Sequence, residues 1–256
     1  SRLHETCAAA DRRRWNPAGD PARRRQPGAG TSRRGATAAS VSVPQFPVYL
    51  FDIDGTLVDS AEDICGAVQA ALAGVGRTDV DFDFLKGYIG RHLYDLFRDL
   101  GFPESQHEPL LASYREIYAS RKHANTKLYP GVRDALATLG GRKSTATTKG
   151  TPTTRIVLEM FGLLPFFDHV QGTDGFPAKP EPDVLFTALK ALDASPSDCL
   201  FVGDSPADME AGRRAGVTTC AVTYGYGKRD ELARWSPDFW IDSLHELNGR
   251  SGNGAR

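Results

Sequence analysis

A four-residue apolar run, Val48-Tyr49-Leu50-Phe51, breaks off abruptly in Asp52-Ile53-Asp54-Gly55-Thr56. A β-prone run with no polar alternation suits a strand buried on both faces, the environment of a parallel sheet. Two further runs end the same way. Cys199-Leu200-Phe201-Val202 stops at Gly203-Asp204-Ser205, and Thr218-Thr219-Cys220-Ala221-Val222 stops at Thr223-Tyr224-Gly225. Helical spacing fills the intervals, in Ile156, Val157 and Met160 and again in Val184, Leu185, Leu189 and Leu192. Strands alternating with helices build βαβ units, so the expected fold is α/β with a doubly wound parallel sheet. Ligands of such sheets bind beyond the carboxyl ends of the strands, where Asp52, Asp54 and Asp204 all fall.

From Ser60 to about Lys127 the pattern is helical only. Ser60, with Asp63 three residues on, reads as a helix cap leading into the stripe Ile64, Val68, Leu72 and Val75. Leu93, Leu96, Phe97 and Leu100 form a second stripe, and Leu110, Leu111, Tyr114, Ile117 and Tyr118 a third. An all-helical cap over 61–127 is therefore expected, inserted into an α/β core of 46–60 and 128–248.

Residues 1–45 have a different texture. They carry nine Arg, no Lys and three acids, a net of +6, while the remaining 211 residues carry −7. With Trp15 as their one aromatic, they cannot bury enough apolar surface to offset the entropy of ordering. An inert disordered head is expected rather than a transit peptide or a nucleic-acid arm, because the Arg clusters lie among Pro and Gly and lack aromatic interleaving. Residues 249–256 read as a flexible tail. The four cysteines, Cys7, Cys65, Cys199 and Cys220, are too scattered for a disulfide framework or a CxxC metal site. No apolar run nears the roughly 20 residues of a membrane helix. Both features suit a cytoplasmic protein with no membrane partner.

The acids carry the chemistry. Asp52 and Asp54 would face opposite ways on an extended strand, and Gly55 supplies the turn that lets both face one site. Asp204 follows its own buried strand, with Asp208 one helical turn beyond. Carboxylates converging on one edge repel unless a cation neutralises them. Oxygen ligands without His or Cys favour a hard ion, Mg²⁺ above all. Lys179, before Pro180-Glu181-Pro182-Asp183, can place an ammonium on an anionic group. Thr147 and Thr148 can donate hydroxyl and backbone N–H groups to phosphate at the next helix start.

Together these stretches resemble the haloacid dehalogenase superfamily, in its phosphoglycolate phosphatase-like branch. DIDGTLVDS from Asp52 is similar to the superfamily's first motif, Thr147 in ATTKG to the second, Lys179 in AKPEPD to the third, and VGDSPADMEAGRRAG, with Asp204 and Asp208, to the fourth. YPGV at Tyr129 fits the same branch. The resemblance spans about Val48 to Leu247.

What it implies is an Mg²⁺-dependent phosphatase acting on a small phosphorylated metabolite, as a monomer or homodimer and without nucleic acid. Asp52 would attack phosphorus and become phosphorylated. Asp54, its pKa raised beside an ionised neighbour, would protonate the leaving alkoxide and then activate water. Mg²⁺ would sit on the Asp52 carboxylate, the Asp54 main-chain oxygen and Asp204, with Asp208 orienting its water. Dehalogenases and phosphonatases lack an acid at the position of Asp54, so its presence favours phosphate esters. Alternatives are a β-phosphoglucomutase-like phosphotransferase and a non-catalytic binding module on the same fold.

The second-motif strand departs from the family. Ser144-Thr145-Ala146-Thr147 is polar where aliphatic residues are usual, so a less stable strand is expected. Either Thr147 or Thr148 can be the phosphate ligand; Lys149 after Thr148 sets the register in favour of Thr147. Gly140-Gly141-Arg142-Lys143-Ser144 misses the P-loop pattern, and Gly225-Tyr226-Gly227 reads as a loop near the site rather than a dinucleotide fingerprint. The cap is expected to close over the site, with Arg91 and His92 nearest the non-phosphate end of the substrate and Gly55 beside it.

Overall fold

The computed structural model describes residues 42–249, so most of the expected head and nearly all of the expected tail lie outside the described residues. In chain order the elements are β1 (Val48–Phe51), β2 (Val58–Asp59), α1 (Ala61–Ala73), α2 (Phe82–Lys86), α3 (Leu93–Asp99), α4 (Glu104–Ser120), β3 (Lys127–Leu128), α5 (Val132–Thr138), β4 (Arg142–Thr145), α6 (Thr151–Met160), α7 (Asp183–Ala191), β5 (Cys199–Gly203), α8 (Pro206–Ala215), β6 (Thr218–Val222), α9 (Arg229–Ala233) and β7 (Phe239–Ile241). The large sheet has the order β4-β1-β5-β6-β7 and every neighbour pair in it is parallel.

The continuous apolar run of β1 follows from its place between β4 and β5. Val48 and Leu50 join a cluster with α7 and α8, whereas Tyr49 and Phe51 point to the opposite face, into a cluster with α5 and α6. Side chains two apart share a face, so one short strand seals two helical layers onto the sheet. Core packing also reaches ahead of Phe46: Val43 is buried, and Gln45 Nε2 donates to the Leu247 carbonyl at 2.6 Å.

The polar strand β4 compensates its hydroxyls locally. Thr145 Oγ1 donates to the Gln171 carbonyl at 2.9 Å and accepts from Gln171 N at 2.8 Å, while Lys143 N donates to Asp168 Oδ2 at 2.8 Å. The 168–171 segment thus covers an edge that apolar side chains do not, and buried polar groups with partners carry little penalty.

Helices α1–α4 build a separate apolar cluster from Ile64, Val68, Leu72, Leu96, Phe97, Leu110, Leu111 and Tyr118. They connect to the core through a short antiparallel ribbon in which Val58 pairs with Leu128 and Asp59 with Lys127. Three sequence expectations change here. Val75 lies past the end of α1 and is half exposed, because the helix stops at Ala73 before the glycine at 74. Ser60 precedes α1 but makes no side-chain cap; its hydroxyl is drawn to Asp54 instead. Ile156 and Met160 are exposed on α6, whose core face is Thr154, Val157 and Leu158. The short α2 and β7 left no clear periodic signal.

Asp63 ties the cap to the ribbon. It is fully buried and accepts from Asn125 N at 2.9 Å, Asn125 Nδ2 at 3.2 Å and Thr126 Oγ1 at 2.8 Å, with Arg121 Nε at 3.3 Å. Burial opposes its charge, but these four donors outweigh burial and hold its carboxyl below the usual aspartate range. A depressed folded pKa means stability that is fully present above the ordinary value and is lost as pH falls through the folded one. Asp63→Ala is expected to cost about 3 kcal/mol at pH 7 in urea denaturation, the scale of a broken buried ion pair. A midpoint within error of the parent would show that the ribbon does not depend on this hub.

Candidate active site

Asp52 and Asp54 stand where β1 ends. Gly55 adopts φ +92°, and its N–H donates to the Val58 carbonyl at 2.9 Å, which closes the turn between them. The same glycine is required sterically, because a Cβ there would lie 2.2 Å from Asp204 Oδ2. Gly225 presses on Asp204 from the other side, where a Cβ would come within 2.3 Å of the aspartate's own Cβ. Asp204 Oδ1 accepts from Thr56 Oγ1 at 3.0 Å, and Oδ2 accepts from Tyr226 N at 2.8 Å. The Gly225-Tyr226-Gly227 loop is thus the wall behind one acid.

Asp52, Asp204 and Asp208 are all buried and can bring one carboxylate oxygen each within 4.8 Å of the others. Lys179, also buried, places Nζ 2.9 Å from Asp52 Oδ1 and bonds Asp208 Oδ1. The approach to Asp52 is an ion pair without hydrogen-bond alignment, and Asp52 Oδ1 has no hydrogen-bond partner. Burial pushes the Asp52 carboxyl up to about 6; Lys179 opposes the shift, and Asp208 and Asp54 add to it. Asp204 is raised well above the carboxylate range by burial and by repulsion from Asp208 and Asp52. Burial works against the Lys179 charge, but Asp208 and Asp52 outweigh it and hold the ammonium above its ordinary range.

One expected ligand is differently employed. Asp208 Oδ2 accepts from Ser205 N at 2.9 Å, Ser205 Oγ at 2.6 Å and Asp204 N at 3.2 Å, completing a capping box at the start of α8, while Oδ1 is taken by Lys179. Its Oδ2 is committed to the loop, while Oδ1 holds Lys179 and stays within the acidic cluster. Asp52, with its unbonded oxygen, and Asp204, with one bond to each oxygen, keep lone pairs for a cation. Oxygen-only donors at this spacing fit a hard divalent ion.

Asp54 turns away from that cluster. Ser60 Oγ donates to its Oδ1 at 2.6 Å, and Lys149 Nζ lies 3.0 Å from Oδ2. Lys149 also donates to Tyr118 OH, on cap helix α4, at 2.9 Å. Burial disfavours the Lys149 charge, but Asp54 together with Tyr118 and Tyr114 outweighs it, so its pKa lies well above the usual lysine value. Sequence reasoning used Lys149 only to set register and read Tyr118 as core; pairing each with Asp54 needed the fold. Ser60 and Thr56 were missed for the same reason, while Ser205 had a readable signal in its spacing to Asp208.

The acids open into a cavity of about 750 Å³ between core and cap, lined in part by Asp52, Asp54, Thr147, Thr148, Arg91 and His92. Gly55, Lys179, Asp204 and Asp208 lie outside its lining. Thr147 is buried, and its Oγ1 accepts from Lys149 N at 3.3 Å, which leaves its own proton free to donate. Thr148 donates instead to the Gly90 carbonyl of the cap at 3.1 Å. His92 Nδ1 caps α3 by accepting from Tyr94 N at 3.2 Å. Arg91 is exposed, 3.9 Å from Asp95 and 4.8 Å from the Tyr88 ring centroid. Thr148, His92 and Arg91, all expected at the substrate, thus line the cavity while also contacting neighbouring protein groups.

A doubly wound domain with buried acids and an ammonium at its sheet edge, roofed by a helical cap, is the framework of a capped α/β hydrolase. The chain belongs to the haloacid dehalogenase-like hydrolase family, whose sequence model matches residues 49–222. It is 36% identical over 212 residues to phosphoglycolate phosphatase 1 of Pseudomonas aeruginosa, covering 78% of each chain. It is 34% identical to the tyrosine-protein kinase PtkA of Mycobacterium tuberculosis, covering 79% of this chain and 72% of that one. Among solved structures, a haloacid dehalogenase-like hydrolase from Streptococcus pneumoniae superposes with a TM-score of 0.73 at 26% identity, over 80% of this chain and 97% of its own. A hydrolase from Pseudomonas syringae gives 0.70 at 27% identity, over 79% and 96%.

The raised carboxyls have a stability consequence. A folded pKa above the unfolded one means the folded state keeps a proton that the unfolded chain has lost, so stability falls as pH rises from about 4 through the folded pKa. In EDTA, Asp204→Asn should therefore melt several degrees above the parent at pH 7.5, a gain of about 1–2 kcal/mol, and close to it near pH 4. Scanning calorimetry reads this directly; an equal or lower melting temperature at pH 7.5 would remove the repulsion argument.

Proposed function

We propose that the protein hydrolyses a phosphate monoester of a small metabolite through a phosphorylated Asp52, with Mg²⁺ as cofactor. The observation that carries the reading is the division of the two acids. Asp52 presents an unbonded oxygen beside Lys179, while Asp54 is held apart by Ser60 and Lys149. Bound by Asp52, Asp204 and the main-chain oxygen of Asp54, Mg²⁺ would supply the charge neutralisation that phosphoryl transfer needs.

The chain's own residues do the rest. The Asp52 carboxylate attacks phosphorus, and the bond to the ester oxygen breaks as the aspartyl-phosphate forms. Asp54, which must enter the first step in its protonated form, gives that proton to the departing alkoxide and, as the resulting carboxylate, takes one from the water that releases phosphate. Lys179, steadied by Asp208, and the Thr147 hydroxyl neutralise and orient the phosphoryl oxygens. Lys149 links Asp54 to the cap, so a cap in place and a correctly held acid coincide. These groups meet only the phosphoryl end, so 2-phosphoglycolate, the substrate named for the Pseudomonas relatives, is the reference ester for assay. The described cysteines are free, buried thiols, in keeping with the cytoplasm as the site of action.

Phosphate release with Mg²⁺ should vanish in EDTA and return when the ion is restored. Asp52→Asn should lower kcat by about 10³-fold or more, and Lys149→Ala by about 10²-fold, as for loss of one preorganised electrostatic partner. Undiminished release by Asp52→Asn would sink the covalent mechanism; isomerisation of sugar phosphates without phosphate release would replace hydrolysis by phosphotransfer.

A further inference from the structure

The cavity that begins at Asp52 and Asp54 continues far into the cap, and most of its depth is apolar. Ile64 and Val68 of α1, Ile89 before α3, Leu96 of α3 and Leu111 and Tyr114 of α4 line it on the cap side. Across from them, α6 offers Ile156 and Met160, which are 55% and 46% exposed with no core to cover them. A volume near 750 Å³ lies in the range of pockets that enclose whole organic ligands, of which a phosphoryl group and two carbons would fill a small part.

Charge in the wall is equally informative. Lys149, the buried cation of the lining, is already shared between Asp54 and Tyr118. Arg91, Arg115 and Lys122 also line the cavity but are exposed at its rim, Arg91 beside Asp95 and Arg115 3.7 Å from Glu108. A carboxylate carried into the cap would thus leave water without gaining a buried counter-charge, which is strongly unfavourable. His92 has its Nδ1 spent on Tyr94 N, and buried His123, whose Nδ1 has no partner, offers a hydrogen-bonding group rather than a counter-charge, because burial holds its imidazole below the usual histidine pKa.

We infer that the alcohol half of the substrate is bulky, uncharged and largely apolar, with an aromatic ring or comparable apolar body that fills the space between α6 and the cap helices. This inference rests on the phosphatase reading for the phosphoryl end, and it differs from that reading in what lies beyond the ester oxygen. A ring in this cavity would lie against aliphatic side chains and Tyr114, and its burial alone would favour it over a two-carbon acid.

Two measurements on the full chain with Mg²⁺ separate the claims. The first compares kcat/KM for benzyl phosphate and 2-phosphoglycolate, both of which release an alkoxide rather than a phenoxide. The second titrates benzylphosphonate and 3-phosphonopropionate by calorimetry, so that binding preference is read even without turnover. The aromatic member of each pair should be favoured by about tenfold or more. Ala119→Trp, which narrows the cavity from an exposed position on α4, should reduce that preference by about tenfold. Preference for 2-phosphoglycolate and 3-phosphonopropionate would overturn the inference while leaving the phosphatase intact. Absence of turnover with tenfold tighter benzylphosphonate would keep the cavity's preference for an apolar body and remove the phosphatase, and with it the assignment of that body to a substrate alcohol. Equal binding of the two phosphonates would overturn it whatever the turnover.

Discussion

Repulsion among Asp52, Asp204 and Asp208 is the constraint around which the molecule is arranged. Three buried carboxylates share one edge of the sheet, and Lys179 supplies one positive charge between two of them. What keeps them in place is covalent geometry and backbone donors: strands β1 and β5 end in register, glycines admit the acids without a clash, and N–H groups of Ser205, Asp204 and Tyr226 fix individual oxygens. Such preorganisation stores unfavourable charge that a bound cation and a phosphoryl group can relieve. Free energy withheld from the empty fold is thereby available to binding.

A second level of organisation links cap and core. Asp63 locks the start of α1 to the returning ribbon through Asn125, Thr126 and Arg121. Tyr226, whose N–H holds Asp204, accepts from Ser60 N at 2.7 Å and donates to Asp59 Oδ1 at 2.9 Å. The ribbon on which the cap is mounted and the acid that would meet the cation are therefore braced by one residue.

Much of this was legible in the chain. The apolar runs at Val48 and Cys199 located β1 and β5 because strands buried on both faces need continuous hydrophobicity, and the acids that follow them located the site. The cap appeared as three stripes without a strand between them. Side-chain commitments were not legible. Nothing local distinguishes Ser60 as a partner of Asp54 from Ser60 as a helix cap, since both uses ask only for a hydroxyl. Exposure of Ile156 and Met160 was hidden likewise: helical spacing marks a face as apolar without saying whether protein or ligand covers it. Asp208 shows the same ambiguity, since a carboxylate one turn after Asp204 serves equally as a ligand and as a scaffold for Lys179 and the loop.

Three consecutive residues after β4 point in three directions. Thr147 lines the cavity beside the acids, Thr148 bonds the cap backbone at Gly90, and Lys149 bridges Asp54 to the cap's Tyr118. A neutral hydrogen bond contributes only about 1 kcal/mol net, so the Thr148 contact biases the cap's position without fixing it. Yet the two links leave adjacent residues, and a cap that swings away loses Tyr118 from Lys149 at the same moment. Cap position and the electrostatic surroundings of Asp54 are then a single coordinate: an ester arriving under a raised cap meets a differently balanced acid from the one that a lowered cap presents, and water arriving after the alcohol departs meets whichever acid the cap has left behind.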